Sequence, residues 1–254
     1  MQSKGYRVAN GSQKFHRFIG KAHKWIGLIL GLQILAWTAG GMVMTWLPIE
    51  KVRGEHKIAK HEPVPVAAQS AFLTVEALST LAGQGVQKLS IEMLLDEPVA
   101  KLTLADDSHM IRHAVTGALI SPISAELAQA IAEADFAPEV AVASVRSLES
   151  NNIDYRGALP VWQVEFADDE GSRIYVSPTE ARVVARRSPT WRLFDFFWML
   201  HIMDYSDRDD FNHPLVIAFA SSAFLFTLSG LCLIFFRFYR RDFNFLLGKR
   251  NSDA

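Results

Sequence analysis

The stretch "IGLILGLQILAWTAGGMVMTWL", residues 26–47, runs for 22 positions without a charge. A helix needs about 20 apolar residues to cross the hydrocarbon core of a bilayer, so this stretch predicts a transmembrane helix. A second stretch of the same kind, "PLVIAFASSAFLFTLSGLCLIFF", covers residues 214–236. Trp25, Trp46, Phe235 and Phe236 stand at the ends of the two, where aromatic rings favour the membrane interface. A cleaved signal peptide is the poorer reading of the first stretch. Its apolar run exceeds the usual ~7–15 residues, and its small residues, Ala36 to Gly41, lie inside the run rather than after it.

The net charge of −1 over 254 residues hides a division. Residues 1–24 carry six basic residues and no acid, residues 237–254 carry five basic and two acidic ones, and residues 25–236 are left at −10. Basic flanks mark the cytoplasmic side. Both termini are therefore expected in the cytoplasm of a bacterial inner-membrane protein, with residues 48–213 in the periplasm. Taking 191–205 as a third span would place "RFYRRDF" outside and "SDRDD" inside, against the charge rule at both ends. The single cysteine, Cys232, excludes an internal disulfide and a cysteine-built metal centre. Gly27 with Gly31, Ala218 with Ser222 and Ala223 with Thr227 have the spacing that lets helices approach closely. Either the two spans pack on each other, or these pairs form the seam of a homodimer.

Between the spans lies an internal repeat. "PVAKLTLADD" (98–107) and "PVWQVEFADD" (160–169) match at an offset of 62 residues in Pro, Val, Ala and both Asp, with apolar residues alternating in register. Each is followed by a second alternating run, "HMIRHAVTGALIS" (109–121) and "SRIYVSPTEARVVA" (172–185). Alternation predicts half-buried strands, and "DD", "TG" and "SPTE" supply turn chemistry between them. Strands are also expected at 86–95 and 140–148, and helices ahead of them at 67–83 and 121–136. Each unit thus reads as a helix followed by about three antiparallel strands, a two-layer α+β arrangement.

This pattern resembles the PepSY domain, with its Ala-rich helix, strands and "D..TG" hairpin. The flanks resemble PepSY-associated transmembrane proteins. "HKWIG" (23–27) opens the first span as in that family, and "FWMLHIMDY" (197–205), with Leu-His ahead of the second span, matches its later helix. Having fewer spans than the larger members, the chain resembles a half-size relative. The expected fold class is therefore membrane α+β, with two transmembrane helices flanking a periplasmic domain of two PepSY-like helix-plus-antiparallel-sheet units. The segments are a basic N-terminus (1–25), the first span (26–47), a linker (48–65), units at 66–121 and 122–188, an interfacial helix (189–205), the second span (214–236) and a basic tail (237–254).

The resemblance implies one of two roles. One is a b-haem electron-transfer subunit related to the haem-containing reductases of ferric siderophores, with a homodimer or larger membrane redox protein as partner. The other is a non-catalytic, membrane-anchored module binding a peptide, a peptidase or another envelope partner. Bis-histidine ligation suits an electron-transfer haem. His23 and His201 fall on the family's histidines, and His213 directly precedes Pro214. These three are the candidate axial ligands; His213 alternatively caps the helix that Pro214 begins. A span of ~30 Å separates His23 from the other two, which pairs His201 with His213, and His23 with His16 or with His23 of a second copy. His16 and His23 stand ~10.5 Å apart along a helix, too far to grip one iron without a break.

Other chemistry is not expected. His109 and His113 fall on a strand, ~13 Å apart, which is no metal spacing. His56 and His61 lie in a charged linker and should be solvated. No phosphate loop, nucleophile elbow, zinc-protease signature, flavin site or nicotinamide site is evident, and no nucleic-acid partner is expected. Read as a helix, residues 191–205 gather Trp191, Phe194, Phe197, Trp198, His201 and Tyr205 on one face, suited to the membrane interface.

Overall fold

The structure, a computed structural model, describes residues 10–60 and 71–237, and the side chains of 24–60, 71–228, 230 and 231. The chain divides into two compact units, residues 47–195 and residues 1–46 with 196–254. Helix α1 (Asn10–Trp46) belongs to the latter. Within it, Lys24–Trp46 is the one helix among the described residues that is long and apolar enough to cross a membrane, at a mean hydropathy of 1.8. Leu28, Leu32 and Leu35 on it are each more than half exposed, unlike the core helix of a water-soluble protein.

The 47–195 unit opens with α2 (Ile49–Val52) and a short 3-10 turn (Glu55–Lys57). This corrects residues 48–60 of the expected linker, 61–65 lying outside the described residues. Ile58 bridges Phe136, Ala59 N–H donates to the Asp135 carbonyl (2.8 Å), and Lys57 Nζ donates to Asp168 (2.9 Å), Glu170 (2.7 Å) and Ser172 (3.1 Å). Residues 48–60 are part of the domain, held by contacts more than 75 positions away in sequence. His56 is exposed, its Nδ1 3.4 Å from the Glu50 carbonyl, and His61 lies outside the described residues.

Next come α3 (Val75–Ala82) with β1 (Val86–Leu94), β2 (Glu97–Leu104) and β3 (His109–His113), then α4 (Ala125–Asp135) with β4 (Val142–Leu148), β5 (Val161–Phe166), β6 (Arg173–Ser177) and β7 (Arg182–Arg187). Both sheets are antiparallel, in the orders β1-β2-β3 and β4-β5-β6-β7. Both helices start later than their apolar patterns do. Thr74 caps α3 by accepting from Ala77 N–H (3.2 Å), and Ser124 caps α4 by accepting from Leu127 N–H (3.3 Å). The residues just before the caps are taken by other backbone partners: Leu73 N–H donates to Ala114, and Ile123 N–H to Pro178.

The repeat extends to the backbone register. Val86 pairs with Leu104 and Lys88 with Thr103, leaving Gln87 as an extra residue; Val142 pairs with Phe166 and Ser144 with Glu165, leaving Ala143 extra. Leu104 and Phe166 are the same position in the two copies, so both units carry a β-bulge at one site. The copies diverge at their ends. After the β3 turn the first unit makes a single bridge, Arg112 to Leu119, whereas the second continues into the full strand β7. The second sheet therefore has four strands where about three were expected.

The turns before these points are also equivalent. Gly117 N–H donates to the His113 carbonyl (2.9 Å) and Ala181 N–H to Ser177 (3.0 Å), at φ of 74° and 47°. A Cβ on Gly117 would stand 2.7 Å from Leu81 Cδ1 and 2.9 Å from Leu73 Cδ1. Gly117→Ala is expected to destabilise the domain by about 1–2 kcal/mol, through left-handed backbone strain and crowding together. Urea unfolding of the full chain checks this, and an unchanged midpoint would contradict it.

The core joins the two sheets. Val99 and Ile111 of the first meet Val164, Phe166 and Ile174 of the second around Ala128, Ile131 and Ala132 of α4. A second cluster packs Leu78 of α3 on Leu102 and Leu104. The unit ends in the first two turns of α5 (Pro189–Ile202), whose residues from Phe196 onward belong to the other unit. The expected interfacial helix thus stops at Ile202, because Met203 adopts φ 56°. Tyr205, expected on its face, lies beyond it.

In the unit formed by residues 1–46 and 196–254, α1 packs against α6 (Pro214–Arg237). A Cβ on Gly27 would come 3.1 Å from the Phe226 ring, while Gly31 faces nothing within 4 Å. Gly27 therefore serves packing inside the chain. The apolar stretch of α6 among the described residues is Pro214–Leu228.

Candidate functional site

The histidines are sorted by what their nitrogens do. His201, on the last turn of α5, is exposed and its ring makes no hydrogen bond among the described residues. It lies 6.4 Å from the Trp37 ring of α1, tilted by 53°. The Trp37 indole N–H is buried and also lacks a partner among the described residues. A buried unpaired donor is costly, so this corner holds an unmet hydrogen-bonding demand beside an open imidazole. Next to it, Phe197 packs against Gly40, where an added Cβ would sit 3.6 Å from its ring.

His213 is placed differently. Its carbonyl accepts from Ile217 N–H (3.2 Å) and its Nδ1 accepts from Leu215 N–H (3.3 Å), so it caps α6. An accepting Nδ1 places the ring proton on Nε2 and removes the lone pair a metal would need there. Ligation through Nε2 therefore requires release of the cap. The side chains of His16 and His23 lie outside the described ones. His113, on β3, is committed: its Nδ1 accepts from Val115 and Thr116 N–H, and its Nε2 faces Glu97 (3.1 Å). His109 stands 3.5 Å from the Thr103 hydroxyl.

Between α5 and α6 the acidic run "DYSDRDD" forms an ordered loop around Asp204, which is 2% exposed. Its Oδ1 accepts from Ser206 N–H (3.1 Å), Ser206 Oγ (2.9 Å) and Asp207 N–H (3.2 Å). Its Oδ2 accepts from Asp209 and Asp210 N–H, each at 3.2 Å. Burial opposes ionisation, but these donors outweigh it and hold the carboxyl well below the ordinary carboxylate range. The loop is tied back to α5, since Trp198 Nε1 donates to the Arg208 carbonyl (3.0 Å) and its ring packs edge-on to Phe211 at 5.1 Å.

In the 47–195 unit, Asp154 is the hub of an ion-pair network. Arg192 of α5 grips it with two bonds (2.9 and 2.8 Å) and Arg173 of β6 adds a third (2.7 Å). Its backbone carbonyl takes Arg187 Nε (2.5 Å). Burial works against the Asp154 charge, yet Arg192 and Arg173 leave its carboxyl below the usual range. Arg156 completes the set by pairing with Asp195 (3.1 Å), also on α5. The start of α5 is thereby fastened to the second sheet at two points.

The sequence pattern of one family, described as PepSY-associated TM region, matches residues 20–253. The chain belongs to that family. No curated protein and no solved structure matches it. Membership, with the apolar helix Lys24–Trp46, makes this a membrane protein of mixed helix and sheet, in contact with the lipid bilayer. Of the three histidines singled out in this PepSY-associated protein, His201 is open and His213 caps a helix. Sequence reasoning missed Asp154 and Asp204. Asp154 stands alone in "NNIDY", and only the arginine density of "ARVVARRSPTWR" hints at a buried acid nearby.

Proposed function

We propose that this PepSY-associated protein is an inner-membrane electron-transfer subunit that holds a b-type haem through His201 and serves a ferric or other periplasmic acceptor. Both termini face the cytoplasm, α1 and α6 cross the bilayer, and residues 48–213 lie in the periplasm. The observation that carries this reading is the unbonded His201 imidazole beside the unpaired Trp37 indole N–H. A neutral imidazole with a free lone pair is what an axial position requires. Haem, when bound, supplies a one-electron couple. His213 can serve as the second ligand only by giving up its bond from Leu215 N–H.

The test is the reduced-minus-oxidised optical spectrum of the full chain, purified in detergent after expression with ample haem. A Soret shift is expected in the parent protein, and His201→Ala should remove it while the protein still elutes as a single species. No shift in the parent, or an identical shift in the variant, would sink the proposal.

A second reading is a membrane-anchored module that binds a partner through its periplasmic domain. Two clefts lined by basic side chains in that domain favour it.

A further inference from the structure

The two clefts lie in the 47–195 unit and share a wall. One, of about 310 Å³, opens over β1–β3 and takes Lys88 and Lys101 from the sheet. The other, of about 380 Å³, lies beside the 154–158 loop and takes Arg156 and Arg187. Glu180 and Arg182, at the turn from β6 to β7, line both. The two cavities are therefore neighbouring parts of one surface.

Their charge runs against that of the domain. Residues 47–195 carry 14 Lys and Arg against 21 Asp and Glu, a net of −7. The clefts gather five cations, Lys88, Lys101, Arg156, Arg182 and Arg187, against three acids, Glu92, Asp154 and Glu180. The central acid among these is already engaged, because Asp154 is occupied by Arg173 and Arg192. Arg187 forms no ion pair among the described residues. Its guanidinium bonds only to the carbonyls of Asp154 and Arg186 and lies 3.9 Å over the Trp191 ring. Lys88 likewise makes no ion pair among the described residues, while Lys101 holds Glu92 (3.2 Å), Arg156 holds Asp195 (3.1 Å) and Arg182 holds Glu180, two positions away, each in a single pair that a ligand carboxylate can share. Cations concentrated in a concave, partly desolvated surface attract anions more strongly than the same charges spread over a convex one.

We propose that the two clefts form one groove for a ligand carrying several carboxylates. Guanidinium forks match carboxylates bidentately. The apolar floor supplied by Leu102, Met110, Val184 and Ala185 suits an organic spacer between charged groups better than a compact inorganic ion. The carboxylates come either from an acidic polypeptide segment or from a small polycarboxylate. The inference goes beyond the electron-transfer reading and holds with or without haem.

Calorimetric titration of the full chain in detergent, at low ionic strength, tests it with four probes: citrate, a capped hexaglutamate, inorganic phosphate and a capped hexalysine. Citrate or hexaglutamate should bind and weaken as salt is added, and hexalysine should not bind. Tighter binding of hexaglutamate assigns the polypeptide source, and tighter binding of citrate the small-molecule source. Arg182→Gln and Lys101→Gln should each weaken binding at least about tenfold, the effect of one lost charged hydrogen bond. The Arg182 side chain is 56% exposed, so its removal leaves the fold intact, and Lys88→Gln provides a further exposed site. Failure of both carboxylate probes, affinity unchanged in the variants, or phosphate binding more tightly than either would overturn the proposal. The optical spectrum of the same preparations reports separately on haem, so the two readings fail independently.

Discussion

Asp154→Asn is expected to cost the 47–195 domain about 3 kcal/mol, the scale for breaking a buried ion pair from one side. The substitution keeps the shape but leaves Arg192, held by the Asp154 carboxylate at 2.8–2.9 Å, without its anion, and Arg173 with Glu165 alone (3.2 Å). The pH dependence follows from the direction of the shift. Burial raises the pKa of Asp154, the two arginines lower it, and the net is a carboxyl below its ordinary value. A depressed folded pKa means the contribution is fully present above the unfolded value, about 3.9, and is lost as pH falls through the lower folded value. Urea unfolding of the full chain should show the parent losing stability on acidification below about pH 4, with the Asn variant losing less over the same range. A loss below about 1 kcal/mol at neutral pH would place the pair among weak surface bridges and contradict its role as hub.

Asp204→Ala should open the loop between α5 and α6. It removes the acceptor for four backbone N–H groups and one hydroxyl at 2.9–3.2 Å. Hydrogen bonds to a charged acceptor are worth about 1.5–3 kcal/mol each, and water recovers part of that, so a local loss of about 2–4 kcal/mol is expected. Amide exchange across residues 204–213 should accelerate, and the fluorescence of Trp198 should shift as its bond to the Arg208 carbonyl is lost. Asp204→Asn retains one oxygen acceptor and should fall between the two. Exchange rates equal in parent and Ala variant would show that the carboxylate does not hold the loop.

Much of this architecture is legible from local pattern. The apolar run of α1 announces itself by length, because a bilayer-crossing helix must hide its backbone inside an uncharged stretch. The strands announce themselves by alternation, and "PVAKLTLADD" against "PVWQVEFADD" exposes the duplication. Helix starts are not legible this way, because apolar spacing begins ahead of the caps Thr74 and Ser124. Nothing in the pattern shows that Leu73 and Ile123 bond to distant carbonyls rather than entering α3 and α4. The shared bulge at Gln87 and Ala143 was equally hidden, since register depends on which partner a strand meets.

The site divides the same way. That His201 stands in an apolar segment ahead of α6 is a property of the chain. That its ring is unbonded beside Trp37, while His213 spends its Nδ1 on a cap, depends on side-chain geometry. Asp154 was invisible because its partners are 19 and 38 residues away, beyond any local window. The sequence by itself determined the apolar helix, the two repeated units and their order, since each follows from short-range periodicity and charge. Only the tertiary structure decided the fourth strand, the arginine hub and the basic clefts, because these arise where residues remote in sequence share burial and charge.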